Sequence, residues 1–317
     1  MFIWVKTRLQ LGLVFALFSP AKINLFLGIT GRRTDGFHDL VSVVVPLDFG
    51  DQLSVEVATG FSLDCDDPSV PVDRSNLVLK AAEAFSAATK CKGGAHFKLT
   101  KRIPMGAGLG GGSSNAVAAL RALNQLAGGI ASEAQLEAIV ATLGSDCALF
   151  LKNAPIVMRG RGEKVAELEA GAVQRLGGRR ILLFKPSFGI GTAWAYGRMA
   201  TRGTDYLPAA EAESQLGHWL RGTAPAEELL FNNMEGAAFE KFVALPLLLE
   251  KLRDEFGVVG RMSGSGSACY ALLGEKQAVD PLARLIRACW GEAAFVQEAR
   301  MAQSSALTGQ QGGTLIA

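Results

Sequence analysis

The sequence predicts a mixed α/β fold built in two halves, and three observations lead there. Ile23, Leu25, Leu27 and Ile29 alternate with other residues, which is the period of a strand. Val117, Leu120, Leu123 and Leu126 instead recur at the spacing of a buried helical stripe. A loop begins near Lys152 to Pro155, and "RRILLFKPS" then starts a fresh strand–loop unit. The expected division is therefore 1–155 for a first domain, 156–302 for a second, and 303–317 for a disordered tail. A length of 317 residues agrees, because it exceeds one ordinary core.

The elements follow in order. Lys6 and Arg8 precede the apolar run Leu11 to Phe18, which mimics a secretory signal. The run is too short to span a membrane and no A-x-A cleavage site follows. It reads as the start of the first strand behind a frayed leader. "VSVVVPLDFGDQLSVEV" reads as two further strands around a turn at Asp48 to Asp51. "NLVLKAAEAFSAAT" carries apolar residues at helical spacing. In "AHFKLTKRIP", Phe97, Leu99, Lys101 and Ile103 fall on one face of a strand. "SEAQLEAIVATLG" is a helix with Ser132 as N-cap and Gly144 just past its end.

Composition excludes several classes. Apolar residues make up 49% and charged residues 20%, as in a globular protein. Net charge is +2 and basic residues cluster no further than pairs such as Lys101-Arg102, which argues against nucleic acid or an anionic membrane as partner. Five scattered cysteines without C-x-x-C read as reduced thiols of a cytoplasmic protein. The three histidines show no zinc-site spacing.

The stretch "IPMGAGLGGGSSNAVAAL" concentrates glycine immediately before a helical pattern. It contains G-x-G-x-x-G at Gly106, Gly108 and Gly111, yet the preceding strand alternates and carries Lys98, Lys101 and Arg102, unlike the continuous apolar strand of a dinucleotide fold. No Lys-Ser/Thr follows the glycines, so a Walker A loop fails too. What remains is the physics common to both: inward N–H groups of a glycine-rich turn, added to the free N–H groups of a helix start, make a phosphate seat. Ser113 and Ser114 stand where a hydroxyl can cap the helix or touch a phosphate or its metal. The plainer reading is a strand-to-helix turn, which one or two glycines would satisfy. Elsewhere, Lys22 and Asn24 share one strand face, a position equally suited to a solvated edge lysine. Asp146 follows a helix in "LGSDCALFL" and can act as an N-cap or in chemistry. Gly264 and Gly266 in "GRMSGSGSACYALL" form a second anion nest or a tight turn.

"PMGAGLGGGSS" resembles the central motif of the GHMP small-molecule kinases, and "PAKINLFL" and "MSGSGSACYALL" resemble their first and third motifs in the right order. More narrowly, "PAKINLFLGITGRRTDGFHDL", "LGSDCALFL", "GRGE" and Lys185-Pro186 resemble the 4-diphosphocytidyl-2-C-methyl-D-erythritol kinases of the non-mevalonate isoprenoid pathway. The likeness runs from Ser19 to Ala299. It implies a two-domain α/β fold, with an N-terminal ATP-binding domain, a C-terminal substrate domain and a cleft between them. It implies ATP with Mg²⁺ and a cytidine-diphosphate-linked methylerythritol, and leaves the oligomeric state open between monomer and weak dimer. By resemblance Lys22 and Asp146 are the catalytic pair. Asn24, Phe37, His38, Thr192 and Tyr196 are substrate contacts, with Phe37 and Tyr196 on the faces of the cytosine and His38 at its edge. The ATP loop is Pro104, Met105, Gly106, Ala107, Gly108, Leu109, Gly110, Gly111, Gly112, Ser113 and Ser114. Three positions depart from the family pattern: Phe37 for Tyr, Gly191 for Pro, and Asn233 for Asp, where Asn can still cap the helix that follows. Other readings are a homoserine or mevalonate kinase of the same superfamily, a non-catalytic binder expected to lack Lys22 or Asp146, and a nucleotide-dependent oxidoreductase.

Overall fold

The computed structural model describes residues 14–302 and 314–316. Its elements in the first half are β1 (Val14–Arg32), β2 (His38–Ala58), β3 (Ser62–Cys65), α1 (Leu77–Thr89), β4 (Gly94–Thr100), α2 (Gly111–Leu126), α3 (Glu133–Leu143), α4 (Cys147–Lys152), β5 (Ile156–Gly160) and β6 (Lys164–Glu167). There follow α5 (Ala170–Leu176), β7 (Arg180–Lys185), α6 (Thr192–Arg202), α7 (Ala209–Arg221), β8 (Phe231–Asn232), α8 (Met234–Phe239), α9 (Ala244–Phe256), β9 (Gly260–Met262), β10 (Cys269–Leu272), α10 (Val279–Trp290), β11 (Phe295–Arg300) and β12 (Thr314–Ile316).

Two sheets form. The larger runs β12-β1-β2-β4-β3, with β5 and then β6 added beside β2 and β8 running parallel to β1. The smaller is β11-β7-β10-β9. Across the division expected at 155/156, β5 pairs with β2 from Val44↔Ile156 to Leu40↔Gly160, so the first sheet carries the chain on to Glu167 and later takes in β8 and β12 as well. Lys152 to Pro155 follows the end of α4, and strand pairing over a hundred residues leaves no trace in sequence spacing.

The turn expected at Asp48 to Asp51 is also corrected, since β2 continues from His38 to Ala58. Turn-forming residues stay in the sheet because their partners hold them there. Leu47 bridges to Met301, and Asp48 accepts the main-chain N–H of Arg300 at 2.7 Å. The Asp51 carboxylate accepts those of Arg102 and Ile103. The strand absorbs the bend as a register shift opposite Pro20 and Lys22.

Three apolar clusters hold the elements. Phe85, Phe97 and Leu120 pack between the first sheet and α1–α4. Ile23, Leu25, Val43, Ile181, Leu183 and Tyr270 fill the space between the sheets. Leu182, Phe184, Leu248 and Ile286 sit on the outer face of the second sheet. Successive residues of β7 thus enter different clusters, as strand alternation requires. Full burial of such side chains contributes about 1.5–3 kcal/mol each.

Local signals explain the helix ends. Asn76 accepts from Val78 N at 2.9 Å to start α1, and Ser132 with Gln135 forms a capping box on α3. The expected strand through Leu11 to Phe18 is present from Val14 onward; the leader Met1 to Gln10 lies outside the described residues. The expected disordered tail is corrected at Thr314–Ile316, which pairs with Val14 to Ala16 because β1 offers an open edge there; 303–313 and 317 lie outside the described residues. Among the described residues no helix is long and apolar enough to cross a membrane.

Candidate active site

The glycine loop joins Ile103 to α2 and is gripped from both sheets. Lys22 N donates to Leu109 O at 2.9 Å, Ala268 N to Ala107 O at 3.1 Å, and Ser263 Oγ to Gly108 O at 3.2 Å. Loop carbonyls are thereby turned into the protein, while the first-turn amides of α2 keep no intrahelical acceptor. Two glycines are demanded by space as well as by a left-handed backbone. A Cβ on Gly108 (φ +75°) would lie 2.3 Å from Ser263 O, and one on Gly110 (φ +74°) would lie 2.9 Å from both Lys22 Cγ and Phe150 Cζ.

Lys22 and Asn24 share a face of β1, as their spacing requires. Lys22 Nζ donates to Asn24 Oδ1 at 2.7 Å and stands 3.5 Å from an Asp146 carboxylate oxygen. Asn24 Nδ2 donates to Ser42 Oγ at 2.9 Å, and Ser42 Oγ donates to Phe26 O at 2.6 Å, so the amide is fixed from behind. Tyr270 of the second sheet adds an O–H bond to Asn24 O at 2.9 Å. Asp146 stands at the N-cap position of α4, but its side chain makes no capping bond. It is 38% exposed where the Lys22 side chain is 5% exposed. A half-open carboxylate beside a buried ammonium can meet a ligand without leaving its partner.

Phe37, His38, Thr192 and Tyr196 form a second group. The rings of His38 and Tyr196 lie 4.9 Å apart, and His38 Nε2 is 3.1 Å from the Tyr206 hydroxyl. Phe37 is exposed, with the Arg161 guanidinium 4.7 Å from its ring centre. Thr192 Oγ1 is 3.1 Å from Ser265 Oγ. Burial, helped by the charge of Arg32, pushes the His38 imidazole below its ordinary value. Burial, with the nearby Asp146 charge, pushes the Tyr196 hydroxyl up to about 12, so it stays a donor. Gly191 holds φ −67°, the angle proline would impose, so its departure from the family pattern leaves the turn unchanged.

One cleft of about 950 Å³ brings these groups together. Lys22, Asn24, Phe37, His38, Pro104 through Ser113, Asp146, Thr192 and Tyr196 all line it. Ser114 does not. It is buried, and its hydroxyl accepts from Ser19 Oγ at 2.8 Å, because the helix turns it away from the loop mouth. The capping role for Asn233 is corrected as well: its Oδ1 accepts from Ile29 N, its Nδ2 donates to Ile29 O and Asp205 O, and Asn232 takes the Met234 amide instead. Sequence reasoning missed Ser42, Asn76, Lys101, Asn115, Arg161 and Ser265 as cleft residues. Ser265 and Arg161 lie inside the "MSGSGSACYALL" and "GRGE" stretches that the resemblance had marked, while Asn76 carried only the signal of a cap before an apolar run.

The family model of the GHMP kinases N terminal domain matches residues 76–154. A 4-diphosphocytidyl-2-C-methyl-D-erythritol kinase of Methylacidiphilum infernorum (isolate V4) is 37% identical over 265 residues, 82% of this chain and 86% of its own length. The chain belongs to the 4-diphosphocytidyl-2-C-methyl-D-erythritol kinase family. It is thus a small-molecule kinase with ATP as co-substrate. A crystal structure of a 4-(cytidine 5'-diphospho)-2C-methyl-D-erythritol kinase agrees at 33% identity, covering 90% of this chain and 99% of that one with a TM-score of 0.71. The homoserine kinase of Cytophaga hutchinsonii shares the fold at 17% identity, over 92% of this chain and 95% of that one, with a TM-score of 0.68.

Proposed function

We propose that this chain transfers the γ-phosphoryl group of ATP to the 2-hydroxyl of 4-diphosphocytidyl-2-C-methyl-D-erythritol. The observation that carries the reading is the Lys22–Asp146 pair at 3.5 Å, in a cleft walled by the glycine loop and by the Phe37, His38 and Tyr196 rings. Asp146 takes the proton of the attacking hydroxyl. Lys22 orients that carboxylate and compensates charge on the phosphoryl group in flight. Asn24, with one amide hydrogen committed to Ser42, offers the other to the nucleophile. The residues Pro104 to Ser113 seat the ATP phosphates on main-chain N–H groups and the start of α2. Phe37 and Tyr196 take the faces of the cytosine, and neutral His38, its Nε2 facing the Tyr206 hydroxyl, presents Nδ1 to the edge.

Mg²⁺ fits this donor set. Among the described residues no three His, Cys, Asp or Glu side chains gather into a metal cage. Mg²⁺ held chiefly by nucleotide phosphates and water, with the Ser113 hydroxyl beside them, needs no such cage. Bound there it would neutralise β- and γ-phosphate charge. The five free cysteines support action in a reducing, cytoplasm-like compartment.

The test is ADP release with the cytidyl substrate against homoserine and mevalonate at equal enzyme. Turnover with the cytidyl compound alone is expected. Equal turnover with either competitor, or with an analogue lacking cytosine, would sink the assignment.

A further inference from the structure

Beneath the glycine loop lies a polar group that the proposed chemistry leaves unused. Asp51, in β2, is fully buried. Its carboxylate pairs with the Lys101 ammonium and accepts Arg102 N at 2.7 Å, Ile103 N at 2.8 Å and Asn115 Nδ2 at 2.9 Å. Asn115 Nδ2 also donates to Ser19 Oγ at 2.8 Å, and Ser19 Oγ donates to Ser114 Oγ at 2.8 Å. A Cβ on Gly111 would lie 3.1 Å from Lys101 Nζ, so the ammonium stands against the first residue of α2.

The direction of these bonds is informative. Lys101, Arg102 and Ile103 come immediately before the loop, and Ser114 and Asn115 immediately after it. A single carboxylate therefore takes donors from both ends of one loop. Withdrawing a carboxylate from water is costly, and apolar packing at such a site is often as stable. What apolar packing cannot do is fix two chain segments at a set separation through directional, charge-assisted bonds.

We infer that Asp51 is a positioning residue for phosphoryl transfer, setting the span of the glycine loop through Lys101–Ile103 on one side and Asn115 on the other. The inference rests on the reading of that loop as the seat of the ATP phosphates. Without the Asp51 charge the loop ends part, and its N–H groups no longer converge on one anion. ATP binding is affected, while the Phe37–Tyr196 end of the cleft is not.

Steady-state kinetics of Asp51→Asn and Ser19→Ala test this, with Gly112→Val as a direct probe of the loop and a melting temperature for each. Asp51→Asn is expected to raise KM for ATP on the order of tenfold to a hundredfold, since a misplacement of roughly 1 Å in a positioning element can cost up to about 10²-fold. KM for the cytidyl substrate should stay unchanged. Ser19→Ala, which removes the bonds to Ser114 and Asn115 but leaves the Asp51 carboxylate and its donors in place, should move the same constant in the same direction by less. A lowered melting temperature with an unmoved KM for ATP in both variants overturns the inference. If Asp51→Asn gives no folded protein, Ser19→Ala decides by the same split. A rise in Gly112→Val alone overturns the role of Asp51 and leaves the loop assignment standing; no rise in any variant overturns both.

Discussion

Asp146→Asn separates chemistry from architecture, because the two roles predict effects of very different size. At 3.5 Å the attraction between Lys22 and Asp146 is about 5 kcal/mol at an effective dielectric constant near 20, and about 1 kcal/mol in water. Asp146 is 38% exposed and caps nothing, so the lower figure governs what its charge adds to stability. Lys22 meanwhile keeps its 2.7 Å bond to Asn24. The variant should therefore unfold within about 1 kcal/mol of the parent. Turnover is another matter. Removing a general base costs on the order of 10²–10⁴ in rate, or about 3–5 kcal/mol of barrier. Lys22→Met should also slow turnover, and if the pair acts as one unit, the double variant should be little worse than the worse single one. The assay is turnover at saturating ATP and cytidyl substrate, with denaturant unfolding on the same preparations. Near-normal turnover in Asp146→Asn refutes the proton-transfer role, and a rate loss matched by an equal stability loss refutes the separation.

Other perturbations follow from the same geometry. Gly112→Val places a side chain at the start of α2, where a Cβ meets only Leu77 at 3.5 Å; KM for ATP should climb while the melting temperature holds, and unchanged ATP kinetics would remove the loop from the phosphate site. Tyr196→Ala should weaken cytidyl-substrate binding by roughly 1–3 kcal/mol, the size of one base–aromatic stack, and spare ATP; calorimetry with each ligand reads the split, and an equal loss for both would contradict it. Burial raises the Glu235 carboxyl to about 7, so the folded state favours its protonated form. The associated stability is complete below the unfolded value and is lost as pH rises through about 7. Glu235→Gln, still able to accept from Met262 N, should then gain up to ~3 kcal/mol at pH ~8 and little at pH ~4.5. An equal change at both pH values would refute the titration.

Legibility in the sequence followed distance along the chain. Lys22 and Asn24 lie two apart, so strand alternation alone puts them on one face, and their 2.7 Å bond agrees. Ser132 and Gln135 are three apart, and the capping box was readable for the same reason. Ser114 was misplaced because its partner, Ser19, is 95 residues away. Asp51 read as a turn residue because Ile103, which holds it in the sheet, is 52 residues distant. Asn233 looked like a cap, yet its bonds reach Ile29 across 204 residues. A pattern of neighbours reports helix and strand periods and says nothing of which distant donor will satisfy a buried acceptor. The cleft was legible only through motif resemblance, which supplies long-range placement that periodicity lacks.

The ribosome delivers the strand that carries Lys22 and Asn24 well before much of its surroundings. Phe26 and Leu27 pair with Phe231 and Asn232, Ile29 is held by Asn233, and the main-chain oxygen of Asn24 receives the hydroxyl of Tyr270. Closing such long intervals is entropically slow and keeps apolar edges uncovered while it lasts. A nascent chain holding every residue from Lys22 to Asp146 would still lack the neighbours that set their geometry. Synthesis and competence to transfer phosphate are thereby separated in time, and a chain truncated before Tyr270 would carry the catalytic residues without their framework.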